Sequence, residues 1–130
     1  MRRPLLALLL LLGAPALAQP EPEWRGAPEY DVLLRPFAFE PRIIRLEAGR
    51  PVRLRFVNGG RATHSFHAPR FFRTARLRAE DGDIVTNGYV RLASGERRTV
   101  ALVPAPGRYP VRSFGAVQWA LGMRAVIVVE

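Results

Sequence analysis

The sequence has no cysteine. That excludes disulfide staples, thiolate nucleophiles and any metal centre that draws a thiolate from this chain. Stability must come from packing. Lysine is also missing: all 20 basic residues are arginine. So complete a bias reads as the coding habit of a GC-rich genome rather than as selected arginine chemistry. Histidine occurs 2 times and methionine 2 times, so soft or imidazole metal donors are scarce. The apolar run at 5–12 is much shorter than the roughly 20 residues a membrane span needs, and no later stretch could cross a bilayer.

What is present at the start reads as an export signal. Arg2 and Arg3 form a positive head, residues 5–12 an apolar middle, and Ala16-Leu17-Ala18 a small-residue cleavage site. The expected organisation is a signal peptide at 1–18, cut after Ala18, a flexible lead-in at 19–29 rich in Pro, Glu and Gly, and one domain at 30–130. The expected location is periplasmic or secreted. About 112 residues remain after cleavage, enough for one core. Without the two signal arginines the net charge falls from +9 to +7. The arginines are scattered, and several alternate with apolar residues as on the solvent face of a strand. A nucleic-acid surface would cluster them among aromatics. Nucleic acid is therefore not an expected partner, while a weak, nonspecific attraction to acidic surfaces is.

Past the lead-in, short apolar segments alternate with turn residues. Residues 30–34, 43–47, 52–57, 88–92, 98–103, 108–113 and 124–129 read as strands. Val52-Arg53-Leu54-Arg55-Phe56-Val57 has the period of two that marks a half-buried strand. The turns fall at Glu47-Ala48-Gly49-Arg50, Asn58-Gly59-Gly60 and Ala93-Ser94-Gly95-Glu96. Only 69–78 hints at helix, with Phe72, Ala75 and Leu77 weakly periodic, so a short helical turn or loop is expected there. Seven or eight strands at this spacing predict an all-β, Greek-key β-sandwich.

Two segments carry the candidate chemistry. The first is Asn58-Gly59-Gly60-Arg61-Ala62-Thr63-His64-Ser65-Phe66-His67-Ala68-Pro69. The second runs from Gly107-Arg108-Tyr109 through Ser113, Gln118 and Trp119 to Gly122-Met123. Taken together they resemble the cupredoxins, the blue copper proteins, of the small bacterial periplasmic kind. There a strand ending in Asn precedes a His-x-Phe ligand loop. Near the end a Gly-x-Tyr strand leads to Cys, then His five residues on, then Gly-Met. The resemblance spans about 36–130 and implies that His64 holds the first histidine position, Ser113 the cysteine position, Gln118 the second histidine position and Met123 the axial methionine position.

Two of those four positions depart from the pattern. A type 1 copper site needs a trigonal His₂Cys plane with a weak axial Met. A serine hydroxyl is not readily deprotonated by Cu²⁺ near neutral pH, and an amide oxygen is a hard, weak donor. The resemblance therefore carries the fold and two ligand positions, not the blue colour or ordinary electron transfer.

His64 and Met123 together form a soft pair that suits Cu⁺; alternatively His64 is a buried, hydrogen-bonded relic and Met123 core filler. His67 could add a third donor only if the chain turns after His64, because residues three apart on a strand face opposite ways. Ser113 and Gln118 could instead hydrogen-bond His64 and organise the loop without metal. Trp119 reads either as an exposed aromatic for docking a partner or as a lid over the apolar end, and the lid is the preferred reading.

Other chemistry is thin. No Gly-rich phosphate loop precedes a helix, and Ser65 between two histidines is no nucleophile elbow. Glu80, Asp81 and Asp83 lack the full set of a calcium loop and read as a solvated turn. The expected function is that of an exported cupredoxin-like module, metal-free or metal-altered, acting by binding or interaction with a periplasmic protein. The alternative is a copper-binding or copper-transfer protein using His64 and Met123. Electron transfer is less favoured, and an enzyme is not expected. No cofactor is required, and copper is expected only outside a blue site.

Overall fold

The computed structural model describes residues 13, 20–113 and 123–130. Most of the expected signal peptide, together with Gln118 and Trp119, lies outside the described residues.

The described chain is an all-β sandwich. Its strands are β1 (Glu29–Arg35), β2 (Ala38–Glu40), β3 (Ile43–Leu46), β4 (Val52–Asn58), β5 (His64–His67), β6 (Arg76–Leu77), β7 (Val85–Thr86), β8 (Tyr89–Leu92), β9 (Arg97–Val103), β10 (Gly107–Arg112) and β11 (Arg124–Val129). One short helix, α1 (Pro69–Thr74), lies within the span where a helical turn was expected. Among the described residues no helix is long and apolar enough to cross a membrane.

The strands form two mixed sheets, β2-β1-β4-β9-β6 (sheet A) and β3-β11-β10-β5-β8-β7 (sheet B). Most pairs are antiparallel, but β1 runs parallel to β4 and β3 parallel to β11. The strand count exceeds the expected seven or eight because β2, β6 and β7 are too short to show a period. β2 and β3 flank the cis peptide Glu40–Pro41, and there the chain leaves sheet A and joins sheet B.

Alternation sets the core. β4 buries Val52, Leu54, Phe56 and Asn58 and half-exposes the residues between them. From sheet B, Ile44, Phe66, Val90, Leu92, Tyr109, Val111 and Ile127 meet the inner face of sheet A in one apolar cluster. Phe66 is its hub. Its ring centroid lies 4.8 Å from Phe56, 5.6 Å from Phe39 and 6.2 Å from Phe72. Burying such aromatics contributes about 2–3 kcal/mol each in transfer terms alone.

Two glycine-dependent joints hold the periphery. Gly88 has φ +81°, and a Cβ there would lie 2.4 Å from Pro69 Cα. Its carbonyl accepts the Ala68 N–H at 2.9 Å, just ahead of α1. Gly107 opens β10 over the Tyr109 ring, whose hydroxyl reaches back to the carbonyls of Ala105 and Pro106 at 2.9 Å each.

The acidic turn departs from expectation. Asp81 is buried rather than solvated: its carboxylate receives Arg78 Nε and Nη2 at 2.9 and 3.0 Å and the Ala101 N–H at 2.8 Å. Its oxygens are committed to fixing the turn against β9.

Candidate metal-type site at one end of the sandwich

Strand register brings three of the sequence-predicted residues, His64, Ser113 and Met123, to one end of the sandwich. The antiparallel pair Arg112↔Arg124 puts Ser113 beside Met123 at one end of the sandwich, and the Ser113 N–H donates to the Met123 carbonyl at 3.3 Å. On the other side of β10, the pair Arg112↔His67 carries His64 toward the same end. The strand order β11-β10-β5 therefore sets Ser113 between Met123 and His64.

All three point inward. His64 shares a face with Phe66, Ser113 continues the inward series Tyr109, Val111, and Met123 begins the series that runs on to Ile127 and Val129. His64 and Ser113 are each 8% exposed, and Met123 is fully buried. With strands about 4.8 Å apart, β5 and β11 are separated by about 10 Å across β10.

Asn58 anchors this end from the opposite sheet. It occupies the last inward position of β4, where the alternation calls for an apolar side chain. Its side-chain amide donates to the carbonyls of Ala62, Leu92 and Ala93 at 2.9, 3.0 and 3.1 Å, and its Oδ1 accepts the Gly60 N–H at 2.9 Å. Leu92 is the ladder partner of His64, so one side chain ties the loop before β5 to the strand beside it. The sequence marked Asn58 as the start of a turn and as a point of resemblance, whereas it is the last residue of β4. That a polar residue ends a strictly alternating strand was the available signal for its clamping role.

Gly60 lets the loop pass close to the imidazole. A Cβ at Gly60 would stand 3.4 Å from His64 Nε2 and 3.6 Å from its Cδ2. The Nε2–Cδ2 edge thus faces the loop, and Nδ1 lies on the edge turned away from it. Burial lowers the His64 pKa below its ordinary value of 6.5, because desolvation disfavours the imidazolium. The ring is held neutral, the form in which it offers a lone pair.

His67 does not join this group. β5 runs unbroken from His64–His67, so the turn needed for a shared ion is not made. His67 lies on the opposite face from His64, with its ring centroid 6.3 Å from that of Tyr89. Among the described residues no three His, Cys, Asp or Glu side chains gather as a metal group.

These residues do not fit a blue copper centre. The inward slot on β10, between the histidine strand and the methionine strand, holds the Ser113 hydroxyl, and no cysteine exists elsewhere in the chain to replace it. What remains is a neutral imidazole, a buried thioether and a hydroxyl.

No family model and no curated protein matches the chain. Solved structures do match. Auracyanin B aligns over 87% of this chain and 93% of its own at 20% identity, with a TM-score of 0.56. Auracyanin A, a "blue" copper protein from Chloroflexus aurantiacus, aligns over 80% and 100% at 18% identity, with a TM-score of 0.55. A multicopper oxidase from Pseudomonas thermotolerans aligns over 78% of this chain but 29% of its own, at 18% identity and a TM-score of 0.60. Likeness at these identities concerns the backbone, and the backbone it describes is the two-sheet sandwich built above: the chain has a cupredoxin-like fold.

Proposed function

We propose that this protein is an exported cupredoxin-like module that works by binding, without a blue copper centre. The observation that carries this reading is the Ser113 hydroxyl in the inward slot between Met123 and His64. A hydroxyl there gives Cu²⁺ no thiolate, so the intense charge-transfer colour and the tuned potential of a type 1 site are not expected. We assign the module no catalytic step, and we place it outside the cytoplasm on the strength of residues 1–18 and the fold.

A second reading has its own support. His64 is held neutral and faces the same end of the sandwich as the buried thioether of Met123. An imidazole and a thioether favour Cu⁺ over harder ions. The protein would then hold or pass on Cu⁺, with any further donor coming from a partner.

One titration separates the two. The purified chain is titrated with Cu⁺ under a competing chelator, and separately with Cu²⁺, alongside His64→Ala and Met123→Ala. Failure of the parent to compete for either ion supports the metal-free module. Stoichiometric Cu⁺ uptake lost in both variants supports the carrier. A strong visible band with Cu²⁺ would overturn the shared premise that Ser113 precludes a blue site.

A further inference from the structure

The two sheets treat their arginines differently. On the solvent face of sheet A, Arg35 pairs with Glu40 at 3.0 Å, Arg55 with Glu29 and Asp31 at 3.2 and 2.7 Å, and Arg53 with Glu29 at 3.8 Å. The strands of sheet B contain Arg45, Arg91, Arg108, Arg112 and Arg124 and no aspartate or glutamate. Arg91 shares a polar cleft with Asp83 and Glu96 near the β7 edge. Toward the other edge, Arg45, Arg108 and Arg112 make no ion pair among the described residues.

Register arranges this face in rows. Arg124, Arg112, His67 and Tyr89 stand side by side across four strands. The next row is apolar, with Ile43, Val126 and Pro110, and the one beyond is Arg45, Val128 and Arg108. Ile43 is 49% exposed, the largest exposure among the large apolar side chains described. Arg42, Arg112 and Arg124 line one shallow cleft of about 330 Å³ with Pro110 and Val126, and no carboxylate lines it. Glu47 and Glu130 lie past the far ends of β3 and β11, with Glu47 engaged by Arg50 at 2.9 Å, and Glu40, two residues before Arg42, is engaged by Arg35 at 3.0 Å.

Arg45, Arg108 and Arg112 give this face positive charge that no ion pair among the described residues offsets, and a carboxylate-rich surface is complementary to it. An apolar strip with arginines on either side and a tyrosine in one flanking row is also the composition of a protein interface. Insertion into lipid calls instead for Trp, Phe or Leu, and the described residues of this face carry none.

We propose that the outer face of sheet B, centred on Arg112, Arg124, Arg42 and Ile43, docks a carboxylate-rich surface of a partner protein. This gives the partner in the proposed function its chemistry and rests on that reading, while the copper titration is independent of it. β10 and β5 carry Ser113 and His64 inside and Arg112 and His67 outside, so such a partner would sit on the back of the site.

The test uses poly-L-glutamate as the acidic probe and the ¹⁵N-labelled full-length mature chain at low ionic strength. Amide shifts are expected to cluster in β3, β10 and β11. Arg112→Glu/Arg124→Glu should weaken binding by about tenfold or more, while Arg25→Glu/Arg73→Glu, an equal charge change elsewhere, should weaken it by less than about threefold. Arg42→Glu/Arg45→Glu, both on exposed positions, repeats the test should the first pair perturb folding. Equal losses in the face and control variants would overturn the proposal, as would shifts spread over all arginines. Binding to phosphatidylglycerol vesicles without binding to poly-L-glutamate would also overturn it, in favour of a membrane surface.

Discussion

The Ser113 N–H donates to the Met123 carbonyl, so the chain that leaves β10 returns to within one hydrogen bond of its departure point before entering β11. This fixes the inward hydroxyl of Ser113 beside the thioether strand. Ser113→Cys should therefore place a thiolate donor into a slot already shaped for a small inward side chain. With Cu²⁺ the variant is expected to show a sulfur-to-copper band in the visible and to bind at least about tenfold more tightly than the parent. A colourless Ser113→Cys protein that binds no better would mean that the slot does not face His64 and Met123.

Burial makes the His64 site a source of pH dependence. The folded pKa lies below 6.5 and the unfolded value near it, so between the two the unfolded chain binds more protons. Stability should thus fall as pH drops from about 6.5 through the folded pKa, then level off. Urea unfolding from pH 7.5 to 4.5 should show that slope in the parent and a shallower one in His64→Gln. Identical slopes would assign the titration to other groups.

Asn58 spends its whole side chain on backbone partners. Asn58→Ala would strand three carbonyls and one N–H at a fully buried position, at a cost of about 2–4 kcal/mol. Asn58→Asp should cost no less, since a carboxylate would then face carbonyl oxygens. Both can be read from denaturant midpoints at constant slope. A loss under about 0.5 kcal/mol would show that water replaces the clamp.

Gly88 is confined by Pro69. Gly88→Ala combines a left-handed φ with a Cβ driven into backbone at 2.4 Å, and should destabilise the protein by about 2–3 kcal/mol. Gly95→Ala is the comparison: it shares a positive φ of 73° but meets nothing within 4 Å, and should lose about 1 kcal/mol. Equal losses would mean that the α1 approach yields rather than clashes.

How far the sequence spoke can be seen residue by residue. The strict period of β4 and the β-branched run of β11 were legible because alternation and burial leave their mark over six or seven residues. β2, β6 and β7 were not, since two or three residues carry no period. β5 was hidden differently: three of its four residues are buried, including Ser65, so it shows no polar alternation. At the candidate site the positions expected for His64, Ser113 and Met123 came from the resemblance to the cupredoxins. The clamp by Asn58 did not, because it depends on Leu92 and Ala93, more than thirty residues away. The burial of Asp81 was likewise invisible, since its partner Ala101 contributes only a backbone N–H. The charge asymmetry between the sheets needed the topology before it could be seen at all.

β11 sits between β3 and β10, and it runs parallel to a strand some eighty positions earlier, with Val126 opposite Ile43. β3 has no other strand to pair with, and β10, already paired with β5, keeps one open edge until that segment slots between them. Completing the layer thus demands closure of a very large loop, the kind of step that slows a chain's search for its native state. Until β11 is in place, β3 has only its inward side chains to hold it against the sandwich.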